Sequence, residues 1–453
     1  MVEGAKSRVR WFLVLWLFVL SAVAYLDRIN LSIAGSSIAT EFHLTNVQLG
    51  SLTSAFLLGY AFFQTVGGWL ADRLGSRRVL AVGVVWWGIF TSLIAAVPPG
   101  IISAVLVLAA ARFLLGAGEA VLFPASNQFV SRWIPSQERG RANGLIFAGV
   151  GIGAGATPFL ITYIMVHYGW RWSFWLSAVM GLAVGAIWYL FARNTPEEHP
   201  KISPAELKFI QAGRTVRPSA YSRTAEESNH RSVAAGDRIP WMNILSSKNV
   251  WAVTLAYFCF GYIAWIFFTW FFIYLAKVRG LNLKASASYT TLLFLSMAAC
   301  SPVGGAISDK VTKLYGKRAG RCGIAVFALV LTAVFLLFGS QVQSAGLASL
   351  VLAGGAGALY LSQSSFWSVT ADIASGSSGS VSGFMNMGNQ FGGALTASLT
   401  PFLASRFGWT TSFLVAAGLS VLGSVAWLFV DPERSLSPEA NLSSSREKGP
   451  AFR

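Results

Sequence analysis

Apolar residues gather in twelve long runs, and the polar residues fall between them. Six runs lie near 11–36, 48–70, 79–97, 101–131, 143–166 and 171–191. Six more lie near 249–276, 286–307, 322–340, 345–370, 380–404 and 410–430. Each approaches or exceeds the roughly 20 residues that a helix needs to cross a hydrocarbon core about 30 Å thick. "VPPG" at 97–100 and "FGW" at 407–409 are turn signals between runs. The longest polar stretch, 192–247, is rich in Pro, Ser, Glu and Arg and divides the spans six and six. The pattern predicts an all-α membrane protein of twelve transmembrane helices. Its units are a first bundle over 1–191, a linker over 192–247, a second bundle over 248–430 and a polar tail over 431–453. "SPAELKFIQAG" at 203–213 reads as a short surface helix within a connector that needs no chemistry of its own.

The start admits a second reading. Lys6, Arg8 and Arg10, then "WFLVLWLFVL", then "SAVA" resemble a signal peptide and its cleavage site. The apolar run continues past Ala24, so an uncleaved span is expected. The number of spans is then even, and both termini share one side. That side carries 27 of the 34 Lys and Arg residues, including Arg73, Arg77, Arg78, Arg139, Arg141, Lys317 and Arg318. Positive charge marks the cytoplasmic side, so both termini are expected there. The protein is expected in a cell membrane, the inner one if the source is bacterial.

Composition agrees: 54% of residues are hydrophobic and only 11% charged. The net charge of +16 is mostly the asymmetry between the two sides, which suits anionic lipid. No basic folded module for nucleic acid is visible. Cys259, Cys300 and Cys322 have neither disulfide nor zinc spacing. His43, His167, His199 and His230 lie in loops or at helix ends and form no cluster. No metal and no cofactor other than a coupling proton is expected. A monomer is expected.

The halves repeat. "YGWRWSFWLSA" at 168–178 matches "FGWTTSFLVAA" at 407–417, an offset of 239. "GGWLADRLGSRR" at 67–78 has a weaker echo in "GGAISDKVTKLYGKR" at 304–318, which sets Asp72 against Asp309. "TPFL" occurs at 157–160 and at 400–403. Concordant offsets point to a duplicated six-helix unit, as in major facilitator transporters that bind substrate near the midplane between halves.

"GGWLADRLGSRR" resembles the loop signature of that superfamily, with Gly68, Asp72, Arg73, Gly75, Arg77 and Arg78. Together with Asp309 these residues would form a cytoplasmic latch that rocking breaks and remakes. "YLDRINLSIA" at 25–34 and "RFLLGAGEAVLFPAS" at 112–126 resemble the anion:cation symporter branch. That branch holds sialin, the vesicular glutamate transporters and bacterial galactonate and hexuronate transporters. The resemblance extends from the first span to the last.

Asp27, Arg28, Arg112 and Glu119 are the ionisable residues well inside the spans, all in the first half. A charge at a bilayer centre costs on the order of 3 kcal/mol on insertion scales, so four on two helices suggest function rather than packing alone. Arg112 and Glu119 share one face, about 10 Å apart along the axis. Asp27 and Arg112 fall at similar depth and are expected to pair. Glu119, near the midplane, is the candidate for the coupling proton. Arg28 offers a planar fork for a substrate carboxylate. The family resemblance implies the same roles: Asp27 and Glu119 as proton sites, Arg28 on the substrate, Arg112 as the pairing cation.

Neutral candidates surround them. Tyr25 lies about 200° around the helix from Asp27. Tyr60, Tyr262, Trp265, Ser364 and Trp367 offer hydroxyls or aromatic walls. Asn386 and Asn389 sit in an apolar run, where an amide needs a partner, either substrate or a neighbouring helix. The resemblance implies substrate contacts at Ser364, Trp367 and Asn389. The expected function is proton-coupled symport of an organic anion, most readily a hexuronate, aldonate or aldarate. Another carboxylate is an alternative. An organic-phosphate exchanger would want strong cations from both halves, and the seventh span has none before Lys277. No nucleotide loop or nucleophile–base pair suggests an enzyme.

Overall fold

A computed structural model describes residues 8–100, 103–213, 239–374 and 376–436. His230, the part of the expected linker over 214–238 and the tail beyond 436 lie outside the described residues. Spans one to three are Val9–Glu41, Asn46–Leu74 and Ser76–Ala96. Span four runs from Ala104–Glu119 into Leu122–Trp133, and spans five and six are Arg139–Tyr168 and Trp170–Phe191. Span seven begins as Lys248–Trp265 and continues through π-helical turns at Ile266–Trp270 and Tyr274–Val278. Spans eight and nine are Leu283–Lys317 and Ile324–Gln341. Span ten joins Ala345–Leu361 to Gln363–Ile373, and spans eleven and twelve are Ser378–Phe407 and Trp409–Leu428.

Ten stretches of the described residues are long and apolar enough to cross a bilayer. One of them, Lys284–Gln341, contains spans eight and nine. Span eleven is not among the ten, because its first half reads "SGSVSGFMNMGNQFGG". That polarity faces the other half of the protein rather than lipid.

The duplication is visible in backbone geometry. Gly169 and Gly408, one repeat apart, both turn between spans with φ of 87° and 85°. Gly75 does the same after span two at 85°, and Gly316 at the end of span eight at 88°. Such φ values strain any residue with a Cβ. Spans four and ten are both interrupted near mid-chain. In span four Pro124 has no N–H to offer the carbonyl of Ala120.

The halves meet chiefly along two pairs of spans, two with eleven and five with eight. Both seams are glycine contacts. A Cβ on Gly68 would strike the Gly379 carbonyl, and one on Gly144 would come within 2.6 Å of the Ser301 carbonyl. Small residues let helix backbones approach where burial alone drives little association.

The hydrogen bonds between halves lie from the middle of the molecule to its cytoplasmic face. They include Asn386 to Gln64 at 2.8 Å, Asn127 to Thr370 at 2.9 Å and Asn143 to Ser368 at 3.3 Å. Nearer the cytoplasm, Asp72 accepts from the amides of Gly379 and Ser380 at 3.0 and 2.7 Å. Asp309 accepts from the amides of Gly140 and Arg141 at 2.8 and 2.7 Å. Each carboxylate thus caps the start of a span from the opposite half, where helix dipole and free N–H groups favour an anion. The described chain is closed toward the cytoplasm.

The linker helix Pro204–Ala212 forms where expected but is anchored. Glu206 accepts from the amides of Val9 and Arg10 and pairs with the Arg10 guanidinium at 2.8 Å. It caps span one, so this part of the connector does more than pass through solvent.

Candidate functional site

All four intramembrane charges are buried: Asp27, Arg28, Arg112 and Glu119. Their pairing differs from the depth argument. Arg28 donates to Glu119 through Nε at 3.3 Å and Nη2 at 2.8 Å. Asp27 instead accepts a 2.7 Å hydrogen bond from Thr91 of span three. No ion pair joins Arg112 to Asp27 among the described residues; two of the Arg112 nitrogens have no hydrogen-bond partner. The Arg112 guanidinium lies over the Phe56 ring, 4.6 Å from its centroid. Matching depth fixes height in the membrane but not rotation about the helix axis. Asp27 turns toward span three, and Arg28, about 100° further round, turns toward Glu119.

Arg28 sits in an aromatic cage. Its guanidinium lies 4.6 Å from the Tyr25 ring centroid, 4.2 Å from that of Tyr60 and 5.3 Å from that of Phe56. Such faces stabilise a cation that has lost its water. Tyr25 reaches the cage because it is one helical turn from Arg28, whatever its angle to Asp27. The cage continues across the interface. Tyr25 contacts Phe268 of span seven at 5.9 Å between centroids and Phe123 at 6.4 Å. Phe123 and Phe147 pack on Trp367 of span ten at 5.9 and 5.0 Å.

In the second half, Trp367 donates its indole N–H to the Tyr257 hydroxyl at 3.0 Å, and Gln363 donates to the same oxygen at 2.9 Å. Ser364 is buried and its hydroxyl has no partner. Asn386 is used between halves, on Gln64. Asn389 packs its backbone against Gly261, where a Cβ would collide. Two expected residues face elsewhere. Tyr262 turns toward the outer part of span eleven, with its hydroxyl 3.4 Å from Thr400. Trp265 covers Gly393 and lies 5.9 Å from Phe268. Neither meets the Arg28 cage directly.

At the cytoplasmic face, Asp72 and Asp309 bridge the halves, and Gly68 and Gly75 provide the close approach and the turn. The loop arginines stay in the first half. Arg73 lies over Trp69, and Arg77 donates to the Tyr189 carbonyl at 2.9 Å; Arg78 lines an apolar groove beside Leu74 and Val82. The cations that cross are Arg139 and Arg321. Arg139 pairs with Asp372 of span ten at 2.6 Å. Arg321 pairs with Asp309 at 2.8 Å and donates to the Ser136 carbonyl at 2.6 Å. Lys317 adds a 3.7 Å contact to Asp372. In the sequence these residues stand at span ends, where charge is ordinary and marks the cytoplasmic side rather than a contact between halves. Gln64, Thr91, Gln363 and Gln390 carry no charge, yet an amide or hydroxyl deep in an apolar run is itself a signal.

This architecture is that of a membrane transport protein: two repeated bundles, a buried charged site between them and a closed seam on one side. The sequence matches the Major Facilitator Superfamily over residues 17–397 and 316–451, and the chain belongs to that family. It is 31% identical to the hexuronate transporter of Bacillus subtilis over 429 residues, covering 92% of this chain and 94% of that protein. It is 30% identical to a probable sulfoacetate transporter of Cupriavidus necator over 412 residues, covering 90% and 91%. In fold it resembles the solved proton:xylose symporter XylE, with a TM-score of 0.75 at 15% identity, covering 96% and 98% of the two chains.

Proposed function

We propose that the protein is a proton-coupled symporter that imports an organic anion, a sugar acid of the hexuronate or aldonate kind, by alternating access. The observation that carries this reading is the buried 2.8 Å pair between Arg28 and Glu119, set in its aromatic cage. One oxygen of Glu119 is occupied by Arg28 and the other has no partner, so the carboxylate has room for a proton. A proton on Glu119 removes its charge and frees the planar Arg28 fork for a substrate carboxylate. Proton and anion then enter together, because each makes the other's place favourable. Asp27, with one oxygen on Thr91 and the other unpartnered, is the second proton site. Arg112 supplies a nearby cation without direct pairing. The similarity to the Bacillus subtilis hexuronate transporter supports the substrate class.

Seams closed at the cytoplasm leave the site to be reached from outside. Rocking then breaks the Asp72 and Asp309 caps and the Arg139–Asp372 pair, and the loaded site opens inward. The test is uptake of labelled D-glucuronate, D-galacturonate and D-galactonate into proteoliposomes with and without an inward proton gradient. Accumulation of at least one, abolished by a protonophore, supports the reading. Binding and uptake of none of them rejects it.

A further inference from the structure

The two halves offer a ligand different chemistry. The first half brings two cations, Arg28 and Arg112, to the site. Among the described residues, the interiors of spans seven, ten and eleven bring no Lys or Arg; their cations stand at span ends. What they bring instead is neutral polar atoms without partners. Oε1 of Gln390 on span eleven and Oε1 of Gln363 on span ten are both buried and accept nothing.

Gln390 is placed to meet a ligand held by Arg28. Span two runs inward and span eleven outward, and they touch where Asn386 donates to Gln64. One turn further out on span two stands Tyr60, whose ring lies under the Arg28 guanidinium at 4.2 Å. One turn further out on span eleven stands Gln390. Each is four residues from that contact on its own helix, so both stand at one depth on the sides of spans two and eleven that turn toward each other. Gln363 is tied into the same wall, since it shares the Tyr257 hydroxyl with Trp367, which packs on Phe123 and Phe147 of the first half.

We infer that the substrate carries one anionic group only, bound at Arg28, with hydroxyls that donate to Gln390 and Gln363 at its other end. This deepens the symporter reading and rests on it. Buried amide oxygens want donors, and a sugar hydroxyl is one. A second carboxylate or a sulfonate at the Gln390 and Gln363 end would meet acceptors and no cation, because Arg112 lies over the same Phe56 ring as Arg28, on the first half's side, and a buried charge without a partner is costly. Turning the amides round would offer N–H donors but still no charge. The protein should therefore separate monocarboxylates from dianions, although relatives are named for dianions: one for sulfoacetate and two for galactarate and D-glucarate.

The experiment is calorimetric titration of the purified full chain in detergent. The monocarboxylates are D-glucuronate, D-galacturonate and D-galactonate; the dianions are D-glucarate, galactarate and sulfoacetate. The best monocarboxylate should bind at least about tenfold more tightly than any of the dianions. Gln390→Leu should weaken it about tenfold, as loss of one buried hydrogen bond does, and Gln390→Lys should improve binding of the aldarates. Equal or tighter binding of a dianion by the wild type overturns the inference and leaves anion transport standing. So does unchanged monocarboxylate affinity in a folded Gln390→Leu. Failure of every acid to bind overturns both. The wild-type comparison decides even where a variant does not fold.

Discussion

Arg28 is the residue on which the site turns. In the proposed symport it has two claimants, Glu119 and the incoming carboxylate, and only a planar fork serves both well. Arg28→Lys keeps the charge but loses the fork and the flat stacking on Tyr25 and Tyr60. Substrate affinity should fall by at least about tenfold; retention of wild-type affinity in a titration would show that the anion sits elsewhere. Glu119→Ala leaves Arg28 buried without its partner, and removing one member of a buried pair costs about 3 kcal/mol or more. The double change, with Arg28→Ala, should cost less than the sum of the two single changes. Additive losses of Tm in detergent would mean that the 2.8 Å contact carries no coupling. The sequence placed all four charges in one region, because ionisable residues in apolar runs are rare enough to read directly. It misassigned their partners. Depth follows from counting along two antiparallel spans, but the facing direction depends on how each helix is rolled by its neighbours. Thr91, which holds Asp27, gives only the weak signal of a hydroxyl in an apolar run, and Phe56, which lies under Arg112, is an ordinary letter in its span.

At the scale of elements, the two acidic caps are the feature to test. Asp72 and Asp309 are related by the repeat and hold the starts of spans eleven and five. Asp72→Asn removes the charge that complements the start of span eleven, an interaction of about 1 kcal/mol. Amide exchange at Gly379 and Ser380 should speed up in this variant, while exchange in the core of span four stays unchanged. Unaltered protection at Gly379 and Ser380 would show that the cap does not hold the seam. Gly68→Val should produce the same opening by sterics alone, since a Cβ there meets the Gly379 backbone. The spans, their division and the repeat were legible because long apolar runs and a constant offset survive without any knowledge of contacts. The cytoplasmic network was only half legible. Asp72 and Asp309 stood out through the repeated motif, whereas Arg139, Arg321 and Asp372 looked like the usual charges of span ends. The polarity of span eleven was visible, but its reason, a seam against span two, appears only when the halves are brought together.

The whole molecule is held at the cytoplasmic side and sealed through the middle, with the charged site above the seal. That arrangement can couple two fluxes only if Glu119 gives Arg28 to the substrate when it takes a proton. In the proposed cycle the empty carrier returns only after it has released that proton. Measuring both fluxes at once is the most direct test. Proteoliposomes loaded with a pH-sensitive dye receive the best-bound sugar acid from outside, and substrate entry and internal acidification are followed together. Wild type should acidify in proportion to uptake. Glu119→Gln should still exchange internal for external substrate yet acidify nothing. Uptake by wild type without acidification, or undiminished acidification by Glu119→Gln, would contradict the account.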